Sequence, residues 1–271
     1  VAVTRTEMPF NDPMLSQQWH YNNEGENGFT AGADINLFEA WKVETGKPNV
    51  IVSVHDQGIV LDHEDLAAHI WVNEAEMNGA EGVDDDGNGY KDDIHGWNYI
   101  NNSPDIIPEG HGTHVAGTIS AVNNNGIGVC GVAGGTGNGD GARIMSLAIF
   151  DSTSANAGSY PDAYAYAADN GAVISQNSWG YTSGVAMPQD VSDALDYFIA
   201  NAGVDENGNQ TGPMKGGLLV FAAGNEGTPS ARMPAADPRT LCVTAMRSDY
   251  TRPKYANYSD DVDIFAPGGA D

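Results

Sequence analysis

Short apolar runs recur along the 271-residue chain. The first, Val50-Ile51-Val52-Ser53-Val54, follows Pro48 and Asn49 and leads through His55 to Asp56-Gln57-Gly58. A β-branched run of this length reads as a buried strand followed by a loop. Comparable runs lie at Ala142–Phe150, Ala172–Ser178, Gly217–Ala223 and Thr240–Met246. Between them, Gly112–Val122, Tyr160–Asn170 and Pro188–Ala202 read as helices. The last two carry Ala, Tyr, Leu and Phe at helical spacing. Strands alternating with helices predict an α/β fold: a doubly wound, mostly parallel sheet with helices on both faces. Residues 1–34 are polar and aromatic with little periodicity and read as an arm on the surface. No repeat or linker divides the chain, so residues 1–271 are expected to form a single domain.

Composition narrows the function. Hydrophobic residues make up 41% of the chain, enough for a large core and against intrinsic disorder. Lys and Arg number 11 against 37 Asp and Glu, a net charge of −26. Binding to a phosphate backbone needs clustered Lys and Arg, so nucleic acid is excluded as a partner. The acidity suits a protein that tolerates cations, calcium among them. No apolar run approaches the roughly 20 residues that span a bilayer, and no membrane span is expected. The chain begins at Val1 with no visible signal peptide, which reads as a processed piece of a longer precursor. Cys130 and Cys242 make no disulfide framework. Both lie in apolar surroundings and are expected to be buried free thiols, with a Cys130–Cys242 bridge as the alternative.

Sites in doubly wound sheets form beyond the carboxyl ends of the strands. Asp56 follows the first run, and Asn177 and Ser178 end the third, before Trp179-Gly180. Asn225 follows the fourth in Ala223-Gly224-Asn225-Glu226-Gly227, and His111 stands just before a helix in His111-Gly112-Thr113-His114-Val115-Ala116-Gly117-Thr118. Together these segments resemble the subtilisin-like serine proteases, the subtilases. His111–Thr118 is similar to the family's histidine motif, and Asp56-Gln57-Gly58 to its aspartate motif, which usually has Ser or Thr in the middle. Ser178-Trp179-Gly180 resembles the substrate-cleft strand and Ala223–Gly227 the oxyanion-hole segment. Phe265-Ala266-Pro267-Gly268 resembles the stretch shortly before the catalytic serine. The likeness runs from about Asn49 to the last residue.

The resemblance implies peptide hydrolysis through an acyl-enzyme, with polypeptides as substrates. His111 would act as general base and then general acid, and Asp56 would hold its tautomer. Asn225 would donate to the developing oxyanion. Ser178, Trp179 and Gly180 would pair with the substrate backbone as an added strand. The family's Gly-Thr-Ser-x-Ala segment is absent from the 271 residues. Ser230, in Gly227-Thr228-Pro229-Ser230-Ala231, is a poor echo, with Pro229 where the nucleophile belongs. The serine comes last in the subtilisin chain order. These 271 residues are therefore expected to be inactive alone, the serine lying on a missing C-terminal segment, on a separate C-terminal fragment, or lost with a truncated gene product. Loss of that segment is expected to expose apolar surface and to leave the piece poorly soluble or covered by a partner.

Asp84-Asp85-Asp86-Gly87-Asn88-Gly89-Tyr90-Lys91-Asp92-Asp93 contains the first half of an EF-hand-like calcium loop. Asp84, Asp86, Asn88, the Tyr90 carbonyl and Asp92 fall at alternate positions. His95 stands where the loop's last Glu belongs, so Asp93 or a distant carboxylate is needed to complete a structural calcium site. Asp65 and Asn123-Asn124-Asn125 suggest a second site of the family's type. A calcium loop, an acidic surface and the family's habit point to a secreted or cell-envelope protein.

Other motifs admit other chemistry. His111 and His114 could form an H-x-x-H zinc pair but lack a third ligand. Gly126-Ile127-Gly128-Val129-Cys130-Gly131 fits a dinucleotide fingerprint, but a helix precedes it and none follows. Asn101, Asn209 and Asn257 match the N-x-[ST] glycosylation pattern, which an Asn-rich chain meets by chance. The rival of another class is a catalytically silent, calcium-dependent binding or scaffold module. It is motivated by Gln57, by His55 before Asp56, and by the absent serine.

Overall fold

The strands of the computed structural model, which describes residues 7–152 and 160–269, fall where the β-branched runs are. They are β1 (Ile51–Asp56), β2 (Gly96–Asn98), β3 (Arg143–Ala148), β4 (Ile174–Asn177), β5 (Leu218–Ala222), β6 (Leu241–Met246) and β7 (Ile264–Pro267). They form one seven-stranded sheet in the order β2-β3-β1-β4-β5-β6-β7, and every pairing in it is parallel. The helices are α1 (Leu37–Ala40), α2 (Glu74–Met77), α3 (Gly110–Ser120), α4 (Tyr160–Asp169) and α5 (Gln189–Asn201). The expected α/β, doubly wound architecture is the one observed. Two strands, β2 and β7, and the one-turn helices α1 and α2 were not anticipated. The helix expected from Gly112 begins at Gly110, so His111 sits in its first turn rather than ahead of it.

Strand alternation divides the core. Val52 and Val54 of β1 and Ile144 of β3 pack with Ala116 and Ala121 on the α3 side. Met145 and Leu147 of β3 point the other way, into a cluster with Tyr164, Leu195, Phe198, Leu219 and Phe221 from α4, α5 and β5. Each such large side chain contributes about 1.5–3 kcal/mol by leaving water. The parity also places the chemistry. Asp56 has the parity of Val52 and Val54 and so faces α3, whereas His55 faces α4 and stacks on Tyr164 with ring centroids 4.3 Å apart.

The arm is more than a surface cover. Leu15, Tyr21, Leu37, Phe38 and Trp41 form their own buried cluster with Cys130. The Tyr21 hydroxyl donates to the Cys130 carbonyl at 2.7 Å, and Trp41 Nε1 donates to the Val132 carbonyl at 2.9 Å. Cys130 and Cys242 are both buried and free. Among the described residues no helix is long and apolar enough to cross a membrane.

Candidate active site

β1 lies between β3 and β4, and the chain returns to opposite sides of it, so its carboxyl end is a topological switch point. Asp56 ends that strand fully buried. Its Oδ1 accepts a hydrogen bond from Nδ1 of His111 at 2.6 Å and from the Gln57 amide at 2.7 Å. Burial pushes the Asp56 carboxyl up from its usual range, and the His111 and Gln57 bonds pull it back. The His111 side chain is 51% exposed, so one imidazole edge is held by protein and the other faces the cleft.

The residues around the pair account for the short motifs. A Cβ on Gly112 would overlap the Gln57 carbonyl, and one on Gly58 would overlap that of Ile107. Glycine at both places lets the first turn of α3 close on the loop after β1. Thr113 Oγ1 accepts from the Val60 amide at 2.9 Å and donates to the Glu109 carbonyl at 2.6 Å, pinning helix to loop.

Ser178, Trp179 and Gly180 leave the end of β4 and line two adjoining clefts. One is shared with Gln57, His111 and Phe150, the other with Ala222, Gly224, Asn225, Glu226 and Arg232. This segment thus runs between His111 and Asn225. Trp179 is half-buried; its indole N–H donates to Asn177 Oδ1 at 3.1 Å, and its ring packs edge-on against Phe221 and Tyr181. A Cβ on Gly180 would come within 2.8 Å of Arg232 Cβ, so glycine keeps the two sides of the second cleft close. Asn225 is exposed in that cleft. Ser230 is turned to its own backbone, its Oγ donating to the Ala231 carbonyl at 3.1 Å.

In the acidic loop, the structure brings together Asp86, Asp93 and a residue missed in the sequence, Glu76, with ligand oxygens within 4.8 Å of one another. Glu76 and Asp93 are buried. Glu76 comes from α2, and only its distance in sequence hid it. Its Oε1 accepts the amides of Asp85 and Asp86 at 2.6 and 3.2 Å, and its Oε2 accepts that of Asp92 at 2.8 Å. Asn88 bridges Asp86 and Asp93, donating to each at 3.1 Å. Burial pushes the Asp93 carboxyl up, and the Asp86 and Glu76 charges push the same way against its bonds to Tyr166 and Asn88. Three converging carboxylates with crowded charge are a donor set that fits a hard divalent cation. Asp84, Asp92 and Tyr90 stand outside this cluster of three. Asp84 caps the Gly87, Asn88 and Gly89 amides, Asp92 accepts from Gly82, and the Tyr90 ring packs on Trp97 and Tyr166.

At the second suggested site, Asn125 donates to Asp65 Oδ1 at 2.8 Å. The arm adds Asp12, which accepts from the Asn124 amide at 2.7 Å. Burial, aided by the Asp12 charge, raises the Asp65 carboxyl. Of the glycosylation matches, Asn101 and Asn209 are exposed, but Asn257 is fully buried.

A model of the subtilase family matches residues 47–270. The chain is 30% identical over 259 residues to halolysin of Haloferax mediterranei, covering 95% of this chain and 40% of halolysin. It is 29% identical over 277 residues to an extracellular protease of Xanthomonas campestris pv. campestris, covering 96% of this chain and 42% of that protein. A solved protease structure from Pseudoalteromonas arctica superposes with a TM-score of 0.66 at 26% identity, covering 97% of this chain and 74% of that one. The chain therefore spans about two fifths of the length of the two curated relatives named here.

Proposed function

The chain belongs to the subtilase family, and from that premise we propose that the protein is a serine endopeptidase of the subtilisin type, acting on polypeptides. The observation that carries the reading is the 2.6 Å bond from His111 to buried Asp56, beside a cleft segment shared by His111 and Asn225. Asp56 holds Nδ1 of His111 as the donor, which leaves Nε2 to receive a proton. A serine hydroxyl, supplied from beyond Phe265–Gly268 on continuing chain or on a separate fragment, loses its proton to Nε2 as its oxygen attacks the scissile carbonyl. Asn225 donates its side-chain N–H to the oxyanion. His111 then gives the proton to the leaving amine, and a water activated by the same imidazole cleaves the acyl-enzyme. Ser178, Trp179 and Gly180 bind the substrate backbone as an added strand.

Calcium is the structural cation of this reading. Glu76, Asp86 and Asp93 would hold it, with Asn88 beside them, and the ion would offset three carboxylate charges in one loop. The Xanthomonas relative is named an extracellular protease, which supports secretion, where free calcium is high enough to occupy such a loop. The test is reaction of the full-length protein with a fluorophosphonate probe together with hydrolysis of a peptide substrate. Both should occur in the parent and vanish in His111→Ala. A parent that is folded, calcium-loaded and unreactive would sink the proposal in favour of a binding module.

A further inference from the structure

We infer that Asn257 is a positioning residue that shapes the Asn225 segment; this rests on the reading of Asn225 as the oxyanion donor. Asn257 lies in the loop between β6 and β7 and is fully buried. Its side-chain oxygen accepts from the Glu226 amide at 3.0 Å, the Thr228 amide at 3.1 Å and the Thr228 hydroxyl at 3.3 Å. Its side-chain nitrogen donates to the Ala223 carbonyl at 3.0 Å and to Glu226 Oε2 at 2.7 Å. Its own backbone amide donates to the Gly224 carbonyl at 3.1 Å. Residues 223, 224, 226 and 228 are thus all bound to one side chain and its backbone, and they bracket Asn225 on both sides.

The amide of asparagine suits this task because it offers donors and acceptors together. A cleft loop has no neighbouring strand to satisfy its backbone groups, and Asn257 takes that place. Asn257 is itself anchored, since Thr244 Oγ1 on β6 donates to its carbonyl at 2.6 Å. Gly224, at φ +107°, lets the amide approach, because a Cβ there would overlap Asn257 Nδ2. Asn225, by contrast, remains exposed in the cleft. The frame around it is hydrogen-bonded on both sides while its own side chain stands in the cleft, as an oxyanion donor requires. The match of Asn257-Tyr258-Ser259 to a glycosylation pattern is accordingly a packing asparagine whose nitrogen already has two acceptors.

The test uses the full-length protein. Asn257→Ala should lower kcat for a peptide by about tenfold or more, the worth of a hydrogen bond's geometry, with KM little changed. Asn225→Ala should lose about 10²–10³-fold in kcat. The double variant should be no slower than Asn225→Ala alone, because the frame acts only through Asn225. Losses that multiply would overturn the inference. Hydrogen exchange supplies a readout independent of catalysis. The amides of Glu226 and Thr228 should exchange about tenfold faster or more in Asn257→Ala, while those of Leu219–Ala222 keep their protection. Unchanged exchange at 226 and 228, or acceleration everywhere, also overturns it. If Asn257→Ala does not fold, Gly224→Ala disturbs the same contact from the other side and should give the same kcat-only loss. A parent that cleaves no peptide removes the proteolytic reading, and the exchange data still decide whether Asn257 frames the loop.

Discussion

His111 and Asp56 lie 55 positions apart in the chain and meet at 2.6 Å because strand parity and one helix turn bring them there. Asp56 shares the β1 face of Val52 and Val54, the face that α3 covers, and His111 projects from the first turn of α3. The contact follows from packing of the whole α3 side, with Gly58 and Gly112 removing the atoms that would hold the two elements apart.

Asp56→Asn should therefore leave the fold intact and impair chemistry. An amide can donate to Nδ1 and favour the wrong imidazole tautomer. We expect kcat of the full-length protein to fall about 10⁴-fold. Stopped-assay kinetics with a peptide ester and a thermal melt of the same sample check both halves.

Calcium and the Glu76 carboxylate should be linked. In Glu76→Gln the loop loses a charge from the cation set, although the side-chain oxygen can still accept an amide. Chelation should lower the parent's melting point and move that of Glu76→Gln much less. At calcium a hundred times its dissociation constant, the parent gains about 2.7 kcal/mol. Calorimetry with and without a chelator measures the difference, and equal shifts in both proteins would count against the site.

His55 gives a pH dependence with a definite sign. Burial holds its imidazole down to about 3, against 6.5 for an exposed histidine. Below about pH 6.5 the unfolded chain takes up a proton that the native chain does not. The stability due to neutral His55 is complete above that pH and is lost as the pH falls toward 3, at about 1.4 kcal/mol per unit. Urea denaturation between about pH 6 and pH 4 should show this slope in the parent and a shallower one in His55→Leu.

Asn177 should be costly to replace. It is fully buried, and its oxygen accepts from Tyr164 Oη at 2.6 Å and from the Trp179 indole at 3.1 Å. Its nitrogen donates to Ser175 Oγ at 2.9 Å, and that hydroxyl contacts His55 Nδ1 at 3.1 Å. Asn177→Leu removes the acceptor that the Tyr164 hydroxyl and the Trp179 indole share, a loss of about 1–3 kcal/mol in denaturant unfolding. It also removes a hydrogen bond that orients the Trp179 ring in the cleft, so peptide KM should rise.

Legibility in the sequence followed the range of the interactions. β1, β3, β4, β5 and β6 were readable because strands buried on both faces are continuous apolar runs. β2 is three residues long, and β7 carries exposed Ile264 and Phe265, so neither makes such a run. Asp56 and His111 were readable through the resemblance of their short motifs to the subtilases, and those motifs are short because the supporting glycines and Thr113 are sequence neighbours. Glu76, Asp12 and Asn257 were not. Each acts on a segment 9 or more positions away, and nothing beside it in the chain marks the partner. Within Asp84–Asp93, regular spacing singled out Asp84 and Asp92, which accept loop amides, but could not show that Asp86 and Asp93 meet Glu76.

The grip of Glu76 on three amides of the acidic loop has a consequence for the proposed activity, because a protease is surrounded by copies of itself as substrates. A segment is cut only when it can straighten into the added-strand geometry of a substrate. This loop cannot straighten while Glu76 holds the backbone of Asp85, Asp86 and Asp92. On the proposed reading, autolysis there would be governed by how often that carboxylate lets go, so chelation of calcium would shorten the protein's life in its own company before it measurably slowed its chemistry.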